Sequence, residues 1–175
     1  MTIVVYILAA IIVLIIFLAA IAPKTYDVSR SVEINGTKER IWPYLKFLEK
    51  QREWSPWARK DPNMDTKLTG VDGEVGAVSY WNGNKDVGEG EQEITQIIEG
   101  ERAEGELRFL KPMKSQSDCY LILEEQSPGK SKVTWGFKGK SAFPFSILML
   151  FMSMDKMVGK DFEEGLRTLK SKLEQ

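Results

Sequence analysis

The sequence predicts an α+β chain: a curved antiparallel sheet of about seven strands around a long C-terminal helix, preceded by one transmembrane helix. Three observations carry that prediction. The chain opens with an apolar run that contains no charge. Its middle is a series of alternating apolar and polar segments separated by Gly, Asn and Pro. Its last stretch changes to apolar spacing of three and four, the period of one helix face.

From Ile3 to Ala22 every residue is apolar. Twenty residues at about 1.5 Å rise match a hydrocarbon core of about 30 Å. A cleaved signal peptide is the competing reading. It is opposed by the lack of a basic segment before the run, by the length of the run, and by Pro23 directly after Ala20-Ile21-Ala22. Residues 1–23 therefore form an expected membrane anchor, and 24–175 one domain. Lys24, Arg30, Lys38 and Arg40 follow the span and no Lys or Arg precedes it. The positive-inside rule then puts the domain in the cytoplasm as part of a single-pass membrane protein.

Tyr26, Val28, Val32 and Ile34 share one parity and predict a first strand, with Arg30 intruding on its apolar side. Asn35-Gly36 ends it. Ile41, Trp42, Leu45 and Leu48 form the apolar face of a first helix, and Glu49–Glu53 a second short one. Trp54-Ser55-Pro56-Trp57 and Asp61-Pro62 are turn-type stretches. Strands then run over Ala77–Trp81, Gly88–Ile98, Glu101–Leu110, Ser115–Glu125 and Lys130–Lys140. They are divided by Asn82-Gly83-Asn84, Gly100, Pro112 and Pro128-Gly129. Such short connections imply consecutive hairpins. Phe143 to Gln175 reads as one helix of roughly eight turns, with Pro144 in its first turn. Val158, Phe162, Leu166, Leu169 and Leu173 make its apolar stripe.

Composition excludes several functions. The 175-residue chain has a formal net charge of −1, so nothing draws it toward nucleic acid. It has no histidine, which removes Ser-His-Asp and Cys-His catalysis and the usual His-containing metal sites. Its single cysteine, Cys119, cannot form an internal disulfide. Glu89, Glu91, Glu93, Glu104 and Glu106 fall on outward positions near Arg102 and Arg108, the pattern of a solvated charged face. No catalytic residue, metal ligand or cofactor follows from these residues.

The order of elements resembles the START-like superfamily. This is the helix-grip fold shared by the birch pollen allergen, START lipid-transfer domains and the polyketide cyclase/dehydrase and lipid-transport (SRPBCC) family. The resemblance covers Tyr26 to Gln175. Ser29–Ile34 followed by Ile41-Trp42 and Leu45 is similar to that family's opening strand and helix. Trp54-Ser55-Pro56-Trp57 is similar to its tryptophan-rich stretch, and Gly76–Trp81 with Gly88-Glu89-Gly90 to its glycine-punctuated strands. The resemblance implies a cavity between sheet and helix for a lipid or other hydrophobic small molecule. Small inward residues, among them Ala103, Gly105, Ser117 and Cys119, leave room for one. The expected ligand-binding residues are Trp81, Gln92, Gln96, Leu107, Phe109, Cys119, Trp135, Phe137, Leu148 and Met152. Two alternatives stand beside membrane-anchored ligand binding. One is a cyclase- or dehydratase-like enzyme, for which Asp155, Asp161, Tyr80 and Tyr120 are the acid–base groups to test. The other is a membrane-bound interaction module with a closed core.

Overall fold

The computed structural model describes residues 2–175. The first element is a lone apolar helix, α1 (Thr2–Ile21), none of whose residues is buried. It is long and apolar enough to cross a membrane. Strand β1 (Thr25–Asn35) follows, then three short helices: α2 (Lys38–Lys46), α3 (Leu48–Arg52) and α4 (Pro56–Lys60). Six strands come next: β2 (Asp65–Thr69), β3 (Val78–Asn82), β4 (Glu89–Ile98), β5 (Arg102–Lys111), β6 (Ser115–Ser127) and β7 (Lys130–Lys140). The chain ends with α5 (Phe145–Leu148) and α6 (Met154–Leu173).

The seven strands form one antiparallel sheet in the order β1-β7-β6-β5-β4-β3-β2. Only β1 departs from sequence order, because it pairs with β7 across the whole strand, Thr25 opposite Lys140 and Asn35 opposite Lys130. The concave face of the sheet meets α6. Ile34, Leu121, Leu123 and Val133 from the strands pack with Leu166, Leu169 and Leu173 from α6 and with Ile41, Leu45 and Trp54 from the helical insert. This is the α+β helix-grip arrangement that alternation and helical spacing predict.

Two expectations need correction. The C-terminal segment is not one helix of eight turns. Ser153 breaks it, and its side chain accepts a hydrogen bond from the Lys156 amide as N-cap of α6. Serine is among the strongest N-cap residues, and Asp155 in the first turn favours the positive end of the helix. The uncharged residues before Ser153 have no polar face and form only the short α5. The second correction concerns β4. Its pairing with β5 shifts between Ile94 and Gln96, so Thr95 is an extra residue in the ladder. Beyond this bulge the parity inverts: Ile97 packs against the core, while Gln96 and Ile98 face solvent.

Arg30, which interrupts the apolar parity of β1, reaches across to α6. Its Nη1 and Nη2 donate to the two oxygens of Asp155 at 2.7 and 3.0 Å, and its Nε donates to Glu163 at 2.6 Å. The guanidinium lies against Gly159, where any Cβ would collide with it. Farther along, Lys170 Nζ donates to the Glu33 carbonyl at 2.8 Å. Glu174 accepts from the Asn35 amide at 2.7 Å. Arg30 holds the Asp155 carboxyl below the ordinary aspartate range, chiefly by hydrogen bonding. A depressed folded-state value contributes stability above the unfolded-state value, and that contribution is lost as pH falls through the folded-state value. An Asp155→Asn variant should therefore show a shallower loss of melting temperature than the parent below about pH 4. The same variant should differ little from the parent in the slope of that curve above about pH 6.

Candidate ligand cavity

Sheet and helix do not close completely on one another. A cavity of about 160 Å³ lies between β2–β7, the insert α3–α4 and the first half of α6. The strands supply Trp81, Gln92, Leu107, Phe109, Cys119, Trp135 and Phe137, seven of the residues expected from the sequence. The parity of β5 puts Ala103, Gly105, Leu107 and Phe109 on this one wall. Gly105 is required there: a Cβ would stand 2.6 Å from the Glu93 carbonyl oxygen and 3.1 Å from Cys119 Sγ.

Three expected residues lie elsewhere. Gln96 is turned outward by the bulge in β4. Leu148 and Met152, which a continuous helix would have aimed inward, are 47% and 45% exposed and stand outside the cavity. Conversely, the insert contributes more than its turn-like sequence suggests. Trp54 and Trp57 both line the cavity. Ser55-Pro56 starts α4 with proline in its first turn, a helix-start signal legible in the sequence. Gln51, Arg52, Met64, Thr66, Ser79 and Phe162 are among the further lining residues that sequence reasoning missed.

One end of the cavity is an aromatic box centred on Trp135. Trp54 and Trp57 meet its ring edge-on at 4.8 and 5.5 Å, and Phe162 stacks on it at 4.4 Å. Phe137 meets Phe162 at 5.7 Å. Edge-on and stacked contacts both satisfy the ring quadrupoles. Gly165 admits this cluster under α6, since a Cβ there would stand 2.7 Å from Trp135 Cζ3. Trp81 and Phe109 form a second edge-on pair at 6.1 Å.

Polar groups are few. Gln92 donates from Nε2 to Gln51 Oε1 at 3.1 Å, and Gln51 donates to the Leu45 carbonyl at 2.7 Å. That chain fixes both amides and leaves the Gln92 carbonyl oxygen as an acceptor on the cavity wall. Ser79 and Thr66 add hydroxyls nearby. Burial pushes the Cys119 thiol up to about 12, so it stays protonated and unreactive at neutral pH. Cys119 should accordingly resist thiol-directed reagents in the native protein and react once denaturant unfolds it; mass spectrometry of labelled protein measures both.

The four acid–base groups singled out from the sequence are engaged elsewhere. Asp155 binds Arg30, and Asp161 accepts from Lys60 at 2.7 Å. Tyr80 donates to Glu89, and Tyr120 donates to Asp27, each at 2.8 Å. On the convex face Arg108 gathers Glu91, Glu93 and Glu106 at 2.5, 2.8 and 2.6 Å, which is the charged outer surface that parity predicts.

The helix-grip architecture recurs among solved structures. A protein from Nitrosospira multiformis is 16% identical, with a TM-score of 0.62, covering 85% of this chain and 96% of that one. The fold is therefore that of known helix-grip domains. Ginseng major latex-like protein 151 from Panax ginseng is 12% identical, with a TM-score of 0.60, covering 86% and 98%. Ara h 8.0201 is 10% identical, with a TM-score of 0.56, covering 85% and 97%. Identities this low establish shared architecture alone. No protein-family model and no curated relative matches the sequence.

Proposed function

We propose that this protein binds a small hydrophobic molecule between its sheet and α6, and that α1 anchors the domain to a membrane as a single-pass segment. The observation that carries the reading is the cavity itself: about 160 Å³, walled by Trp, Phe and Leu, with one ordered amide pair on its wall. Sites of this character take their affinity from apolar burial and their orientation from a few polar groups. The volume also bounds the ligand. An apolar cavity of about 150 Å³ accommodates benzene. The molecule bound is accordingly a one-ring compound or the end of an acyl chain, with a donor group aimed at Gln92. An entire two-chain lipid exceeds the space.

Anchoring is supported by the character of α1, which buries nothing against the domain core, unlike the core helix of a soluble protein. The lysines and arginines that follow it favour a cytoplasmic domain. Tethering holds the cavity near the bilayer, where apolar molecules concentrate. Native mass spectrometry of protein extracted in mild detergent tests the binding reading. An added mass that heating or organic solvent removes supports it. Bare protein, with tryptophan fluorescence unchanged across a panel of one-ring and short-acyl compounds, would falsify it.

A further inference from the structure

We propose that the end of the domain nearest α1 is itself a membrane-contacting surface, formed by residues 143–157 and the β5–β6 turn, which seats the domain on an anionic bilayer. The proposal rests on the reading of α1 as a membrane span.

The topology gathers one set of elements at that end. The start of β1, the end of β7, the β5–β6 turn and the β3–β4 connection all lie there, because every neighbouring pair in the sheet is antiparallel. The start of α6 joins them, since its Met154 and Val158 pack against the cluster of Val28, Cys119, Phe137 and Phe162, as Tyr26 does. Between α1 and β1 stand only residues 22–24, a reach of about 14 Å at full extension. Even that reach is taken up. Ser141 donates its amide to the Lys24 carbonyl at 2.9 Å, Ala22 is buried, and α1 touches α5. A bilayer that holds α1 is therefore within contact distance of this end of the sheet.

The surface offered to it is apolar to an extent the rest of the domain is not. No charged residue occurs from Ser141 to Met154. Phe151 is 77% and Phe143 63% exposed, and Leu148, Met152 and Met157 are also exposed. At the β5–β6 turn Met113 is exposed between Lys111 and Lys114. The segment is too short to span, but exposed Phe, Leu and Met flanked by lysine suit the headgroup boundary. Lys24, Lys114 and Lys140 border it, and the nearby Asp155 is paired with Arg30, which Glu163 also engages. At the opposite end of the sheet the connections carry Asp72, Glu74, Glu99 and Glu101, with Lys46 paired to Glu99 and Arg102 and Lys130 at the adjoining strand ends, and no apolar run like 141–154. An anionic leaflet attracts the lysines that border the apolar patch.

The test uses the full chain with a nitroxide label at one of three introduced cysteines: Phe151→Cys, Val71→Cys at the far end of the sheet, and Ile11→Cys in mid-α1. Cys119 is buried and leaves the labelling selective. All three positions are exposed, and a melting curve matching the parent verifies the fold of each variant. In vesicles of phosphatidylcholine and phosphatidylglycerol, collisions with oxygen and with a water-soluble nickel chelate are compared. The expected result is loss of nickel collisions with oxygen access retained at 151 and 11, and free nickel collisions at 71. Nickel access at 151 equal to that at 71, with 11 protected, overturns the contact surface and leaves the anchor standing. Nickel access at 11 overturns the anchor and the proposal with it. Protection at 151 from both reagents indicates a protein partner and overturns the bilayer. Protection at 151 unchanged in phosphatidylcholine alone overturns the part assigned to the lysines.

Discussion

Replacing Trp135 by alanine is expected to lower the stability of the domain by about 3 kcal/mol, the lower end of the range for large aromatic-to-alanine changes in a core. The ring is the hub of the aromatic box, in contact with Trp54, Trp57 and Phe162. Truncation removes three ring–ring contacts and leaves a void beneath Gly165 that a rigid β-strand cannot close. Trp135 faces the cavity on one side and is not wholly buried, which is why the lower end of the range applies. For a domain of this size the melting temperature should fall by roughly 6–12 °C, measured by circular dichroism. A fall within about 2 °C of the parent would mean that the box is packed more loosely than its centroid distances indicate.

The second large effect is on binding. Leu107→Trp should abolish uptake of any ligand the cavity holds while leaving the fold intact. Leu107 projects from β5 into the cavity, packs against the cluster of Cys119, Phe137 and Phe162, and is partly exposed to the open space. An indole there carries a second ring into the space of about 160 Å³ where a ligand would sit. Overpacking costs of about 1–3 kcal/mol apply where a core is already full, and here the added atoms enter vacant volume. The parent and variant should therefore melt within a few degrees of each other, while a ligand seen by native mass spectrometry on the parent is missing from the variant. A ligand retained by a well-folded Leu107→Trp protein would place the binding site outside the cavity.

The sequence was most legible where alternation alone sets direction. On β5 the parity of Ala103, Gly105, Leu107 and Phe109 places four residues on the cavity wall, and all four are there. It failed at Gln96 because a bulge is a property of a strand pair. Thr95-Gln96 looks like any alternating segment until it is laid against β5. It failed at Leu148 and Met152 because apolar content outweighed the stop signal that Ser153 and Asp155 carry. Trp54 and Trp57 could not be placed from spacing. Their positions depend on α4 docking against α6 at Gly165, a contact between residues far apart in the chain. The distribution of these failures has a physical pattern. Local periodicity determines which way a strand faces, whereas the floor of the cavity is built by tertiary contacts that no short window contains.

The side chains that α6 sends to β1 have a consequence for solution behaviour. β1 is an outer strand of the sheet, eleven residues long. Such a margin ordinarily exposes a row of unpaired amides and carbonyls on which a strand from another molecule can template. Here the Ser29 and Glu33 carbonyls accept from Arg30 and Lys170, and the Asn35 amide donates to Glu174. Three points along the margin are thus already bonded within the molecule. The other margin, β2, has five residues, with Asp65, Lys67 and Thr69 exposed. Both margins are thus blunted against edge-to-edge polymerisation. Stripping the β1 margin with Lys170→Ala and Glu174→Ala together should raise the rate of thioflavin-positive assembly during long incubation, while single changes should do less.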